Sequence, residues 1–100
     1  MFTVSFIDAE FAQQAIGKVA DAELVFTAEA GPLAGTKLIG FGIWKRRTGA
    51  GYNVTFPARQ YSVNGERRSF ALLRPAAGTC DATRDAILAA WAAREEVARG

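Results

Sequence analysis

The residues best equipped to do chemistry in this chain are cationic and aromatic. Trp44, Lys45, Arg46 and Arg47 are consecutive, and Arg59, Arg67 and Arg68 follow close behind. Arginine presents a planar fork of donors that matches phosphate and stacks on rings. An aromatic ring among such cations is the usual equipment for holding a single nucleic-acid strand. These seven residues are therefore the candidate nucleic-acid contacts. An acidic protein surface, or a merely solvated sheet face, would also suit the cations.

The charge distribution points the same way. The chain has 100 residues and a net charge of only +2, but residues 1–35 carry −4, residues 36–75 carry +7 and residues 76–100 carry −1. The middle segment is a basic band, mostly arginine.

Other chemistries lack their residues. There is no histidine, which removes the commonest general base and metal ligand. Cys80 is the single cysteine; it has no internal disulfide partner and no histidine to activate it. It reads as a small, half-buried residue ahead of a helix. No pair of carboxylates can be placed in a shared pocket. The expectation is a protein that is not an enzyme, with no catalytic residue, metal or cofactor.

The candidate contacts are carried by one hairpin, residues 37–59, KLIGFGIWKRRTGAGYNVTFPAR. Ile39, Phe41 and Ile43 share one parity, and Tyr52, Val54 and Phe56 share another. Strand side chains alternate with a period of two, so each run has one apolar face. Arg47-Thr48-Gly49-Ala50 makes a four-residue turn, which pairs Ile43 with Val54 and Phe41 with Phe56. The opposite face holds Leu38, Gly40, Gly42, Trp44 and Arg46, then Asn53, Thr55, Pro57 and Arg59. Glycine in a strand marks close approach of something. A nucleic acid, a second subunit and the chain's own helix are all open as the neighbour.

The remaining elements frame this hairpin. Residues 2–7 alternate as a strand, and residues 19–28 as another. Between them, residues 8–19 read best as a continued strand to Gln13 that turns at Gly17-Lys18; the alternative is a short helix capped by Asp8. Residues 29–36, with Gly31-Pro32 and Gly35, are loop chemistry. Pro57 ends the inner pairing. Asn64-Gly65 is a turn, and residues 67–74 form a last short strand with Phe70 and Leu72 on one face. A closing helix, capped by Thr79 or Asp81, carries an apolar stripe of Ile87, Leu88 and Trp91, with Ala90 and Ala98 near by. Strands segregated from one helix define an α+β domain: a small antiparallel sheet of about five strands with a C-terminal helix, spanning residues 1–100 as one unit.

With 50% hydrophobic residues a core is affordable, but a chain this short leaves much surface exposed, so a homodimer is expected. No apolar run approaches the ~18 residues of a membrane span, so no membrane partner is expected. The start, MFTVSFIDAE, lacks the pattern of a signal peptide; the expected location is cytoplasmic.

In their order, these pieces resemble the SpoVG (stage V sporulation protein G, septation regulator) family. The resemblance rests on the sheet-forming stretch 38–46, the glycine turn 49–51, and the strand 52–59 ending in Phe56-Pro57-Ala58-Arg59. The arginine-rich strand 68–75 ending at Pro75 and the helix 81–93 complete it. It covers roughly residues 20–93. It implies a small, dimeric, bacterial regulatory protein that binds nucleic acid. A dimeric protein-interaction or adaptor module with no nucleic-acid role is the alternative.

Overall fold

The computed structural model of the protein describes residues 1–74 and 81–99. A four-stranded antiparallel sheet runs in chain order: β1 (Phe2–Asp8), β2 (Lys18–Phe26), β3 (Lys37–Lys45) and β4 (Tyr52–Thr55). The connections are too short for a parallel crossover, so neighbours in sequence are neighbours in the sheet. A separate antiparallel pair follows, β5 (Ala58–Val63) and β6 (Glu66–Ala71). The helix α2 (Asp81–Arg99) closes the chain. The class is α+β, with six strands among the described residues where about five were expected. The additional strand is β5, which lies in the stretch read from sequence as the approach to the Asn64-Gly65 turn.

The first strand ends at Asp8 and does not continue to Gln13. The residues that follow form one turn of helix, α1 (Phe11–Gln14), and β2 begins at Lys18. The amides of Gln14 and Ala15 donate to the carbonyls of Glu10 and Phe11, and the Gln14 side chain ties back to the Ala9 carbonyl at 2.9 Å. Local hydrogen bonding wins here because the stretch has no cross-strand partner. Asp8 does not cap this helix; the residue at the cap position is Glu10, and Asp8 instead binds Arg94. The expected loop before β3 contains a short 3-10 stretch, Ala28–Leu33.

The central hairpin has the expected register. Ile43 lies opposite Val54, and the rings of Phe41 and Phe56 meet edge to face at 5.4 Å. The amide of Arg46 donates to the Gly51 carbonyl, which leaves residues 47–50 as the turn. One part of the pattern differs. Between the pairs Ala22–Phe41 and Leu24–Leu38, β3 has two residues, Ile39 and Gly40, against Glu23 alone on β2. This is a β-bulge, and it reverses the parity of the strand before it. Leu38 therefore packs toward the core, while Ile39 is 61% exposed. Gly40 has φ of 103° and a Cβ there would lie 3.2 Å from the Cβ of Pro57. Both the left-handed backbone and the proline stacked on it call for glycine.

One face of the four-stranded sheet meets α2. Ala20, Ala22, Leu24, Phe41 and Ile43 from the sheet, with Ile87 and Trp91 from the helix, form the buried cluster. Trp91 meets Phe6 and Tyr52 edge to face, with centroids 5.1 and 5.8 Å apart. Arg94 sits one turn further on, over the rings of Trp91 and Phe6, and donates to Asp8 Oδ1 at 2.8 Å. The Tyr52 hydroxyl donates to Glu95 at 2.9 Å. These polar contacts fix the helix across β1 and β4. Leu88 and Ala90 lie at the rim, half-buried, and Ala98 is exposed, outside the stripe expected of it. Thr79 and Cys80 lie outside the described residues. Among the described residues, no helix is long and apolar enough to cross a membrane.

Ile87 is fully buried, so Ile87→Ala should cost about 2–5 kcal/mol. Val97 on the same helix is 81% exposed, and Val97→Ala should change stability by no more than ~0.5 kcal/mol. Urea unfolding midpoints measure both. Equal shifts would mean that α2 does not pack through the Ile87–Trp91 face.

Candidate nucleic-acid interface

The helix takes the face that carries Phe41 and Ile43, so the glycine face of the hairpin is not covered by α2. Part of it is covered by its own tryptophan. Trp44 is half-buried and its Nε1 donates to Thr55 Oγ1 at 2.9 Å. The indole lies back over Gly42, where a Cβ would come within 2.7 Å of both Trp44 Nε1 and Thr55 Oγ1. That close approach explains Gly42: the neighbour is a side chain of the same hairpin. Lys18 Nζ stands 5.9 Å from the indole centre and also pairs with Asp21 at 2.6 Å.

Beyond Trp44 the strand end opens into a groove of about 720 Å3. One wall is Trp44, Lys45, Arg46 and Arg47, with Thr48 and Asn53; the other is Ala15, Ile16 and Gly17 after α1. The two walls are joined where the Lys45 amide donates to the Gly17 carbonyl at 2.8 Å. The second wall depends on residues 11–17 turning as a helix. A reading in which β1 continued through them could not supply it.

Arg59, Arg67 and Arg68 are elsewhere, on the β5–β6 ribbon. All twelve of its residues are exposed, and its base is fastened by the Leu72 amide donating to the Pro57 carbonyl at 2.9 Å. The radius of gyration, 15.0 Å, exceeds the ~13 Å usual for a chain of this length, as a ribbon standing off the body requires. Asn64 and Gly65 both have positive φ, 52° and 81°, the backbone of a tight two-residue hairpin turn. The register pairs Arg59 with Phe70, Tyr61 with Arg68 and Ser62 with Arg67. Arg59 and Arg68 therefore share a face with Tyr61 and Phe70, and Arg67 lies on the reverse. The seven candidate residues thus fall into two places, four in the groove and three on the ribbon.

Ion pairing separates these cations from the others. Outside residues 45–74, every lysine and arginine whose side chain is described has a carboxylate partner. Lys18 pairs with Asp21, Lys37 with Glu23, Arg84 with Asp81 and Arg94 with Asp8. Inside that stretch there are seven cations and one carboxylate, Glu66. Only Arg68 reaches it, at 3.5 Å. Lys45, Arg46, Arg47, Arg59 and Arg67 have no carboxylate partner among the described residues.

Sequence reasoning missed Tyr61 and the ring face of Phe70 as parts of the site. The signal was present: once Asn64-Gly65 sets the turn, counting back two by two from it puts Tyr61 and Arg59 beside Arg68 and Phe70. Comparison of the chain with family models, with curated proteins and with solved structures found no match.

Gly42→Ala should push the indole off the sheet and break its bond to Thr55, costing about 1 kcal/mol for the lost hydrogen bond. In a Trp91→Phe background, where Trp44 is the sole indole, the emission should move to the red. An unmoved spectrum would mean that Trp44 does not lie over Gly42.

Proposed function

We propose that the protein is a small nucleic-acid-binding regulator, a member of the SpoVG-like group, that acts by binding and not by catalysis. The observation that carries this is the segregation of unpaired cations. Lys45, Arg46 and Arg47 line one groove and Arg59 and Arg67 lie on one ribbon beside Arg68, which alone reaches a carboxylate, while the described cations outside residues 45–74 are neutralised by neighbours. Unpaired cations repel one another and are retained at a cost unless an anion meets them. A phosphate backbone supplies a row of charges that matches a groove and a ribbon better than a single carboxylate would. In this reading Lys45, Arg46 and Arg47 hold phosphates, and Trp44 supplies the aromatic part of the same wall. Its indole nitrogen is already committed to Thr55, so its contribution to a ligand is a ring surface.

A homodimer acting as a protein-interaction module is the second reading. Leu72 and Phe70, 61% and 51% exposed, favour it. Light scattering measures the oligomeric state, and it is independent of the binding measurement below.

Binding to single-stranded DNA, RNA and duplex DNA should be seen as retardation at low salt, and the affinity should fall steeply as salt rises. Each phosphate contact contributes about 0.7 to the slope of log affinity against log salt for a single strand. Arg46→Ala/Arg47→Ala should therefore flatten the slope by roughly 1.4 with no loss of folded protein, since both side chains are exposed. Absence of retardation for all three nucleic acids at low salt would sink the proposal.

A further inference from the structure

The β5–β6 ribbon has two different faces. One carries Ala58, Gln60, Ser62, Arg67, Ser69 and Ala71; Gln60 Nε2 donates to Ser69 Oγ across it at 3.2 Å. The other carries Arg59, Tyr61 and Val63 against Phe70, Arg68 and Glu66. Arginine and aromatic residues alternate on this second face both along and across the strands. Tyr61 and Phe70 are diagonal neighbours, within reach of each other on the same face. With Arg59 they line a shallow cleft of about 380 Å3. Arg74 lays its guanidinium over the Phe70 ring, 5.0 Å from its centre.

In a folded chain an aromatic face of this kind is ordinarily turned to the core. Here Tyr61 is 40% and Phe70 51% exposed, and none of the ribbon is buried. A two-stranded hairpin alone is at best marginally stable in water, so a ribbon kept in this form gains from a ligand laid along it. The composition selects the ligand. A second copy of the same face would bring together two faces that each carry Arg59 and Arg68 against the single carboxylate Glu66, so like net charges would meet. A single nucleic-acid strand offers what the face lacks: flat rings for Tyr61 and Phe70 to stack on, and phosphates between them for Arg59 and Arg68.

Building on the nucleic-acid reading above, we infer that this face of the ribbon is a stacking platform for unpaired bases, so that the protein's ligand is single-stranded RNA or DNA. Tyr61 and Phe70 carry successive bases. Arg59 and Arg68 hold the intervening backbone. Arg74 lies over one face of the Phe70 ring, and the base takes the other. Base stacking on a ring is tolerant of sequence, so the platform confers a preference for strandedness ahead of base identity.

The test uses the full chain and fluorescently labelled oligo(dT), oligo(U) and a mixed-sequence DNA duplex of the same length, read by anisotropy at low salt. Tyr61→Ala and Phe70→Ala should each weaken both single strands roughly 5- to 150-fold, the range given by base–aromatic stacking. Phe70→Leu keeps an apolar side chain without a ring and should lose as much, while Phe70→Trp should retain binding. The unfolding midpoint reports whether each variant is folded. Single strands should bind more tightly than the duplex. The inference is overturned if Phe70→Leu binds like the parent protein, because the ring would then not be stacking. It is also overturned if the duplex binds as well as the single strands and only Arg67→Ala weakens it, because the reverse face would then be entering a groove. A third contrary result is that Phe70→Leu converts a dimer to a monomer with nucleic-acid binding unchanged. Any of these leaves the broader nucleic-acid reading standing, whereas a parent protein that binds none of the probes removes both.

Discussion

The packing of Trp91 against Phe6 and Tyr52 decides how the rest of the molecule is disposed. A helix of this length with one apolar stripe must bury that stripe on something, and a four-stranded sheet offers two faces. The face with Phe41, Ile43, Val54 and Phe56 presents large side chains that fill the space beneath Ile87 and Trp91. The opposite face presents Gly42 with a tryptophan laid across it and a row of polar residues. The first face forms the better core. Arg94 then holds the choice by spanning Trp91, Phe6 and Asp8, adding an ion pair to the ring contact that couples the helix to the edge strand β1.

The consequences run outward from that contact. With the helix spent on the core face, the β3–β4 turn, the α1 wall and the β5–β6 ribbon are left outside it. The turn and the ribbon are the places where the unpaired cations lie. The β3 bulge contributes as well. By reversing parity at Ile39 and Gly40, it brings Leu38 into the core, and Pro57 seats on Gly40 at the point where the chain leaves the sheet. A proline there ends the β4 ladder and starts the ribbon as a separate pair of strands. The ribbon's independence from the main sheet thus follows from a bulge, a glycine and a proline packed together.

The proposed division of labour has a physical logic. The groove is half apolar and half cationic, with its walls joined through the backbone of Gly17 and Lys45, and it suits a fixed charged group. The ribbon is exposed along its whole length and is anchored chiefly at its base, which suits a flexible strand that must be followed over several residues.

Much of the architecture could be read before any coordinates. The β3–β4 register followed from alternation, because a one-residue slip would turn every apolar side chain to the wrong face. The Asn64-Gly65 turn and the Ile87–Trp91 stripe followed from local chemistry of the same kind. The basic character of the middle segment is a property of the chain itself. Three matters belonged to the tertiary structure. The parity of Leu38 and Ile39 turned on a bulge whose only local sign is Gly40, and a glycine in a strand does not say on which side the extra residue falls. The fate of residues 11–17 turned on the absence of a strand to pair with, which is a non-local fact. Trp44 could not be assigned from sequence to ligand, core or sheet. Its place over Gly42 depends on the helix lying on the other face and on Thr55 being across the ladder to accept its proton. Chain patterning specified which residues share a face; packing competition between two faces of one sheet decided which face the helix buried and which it left uncovered.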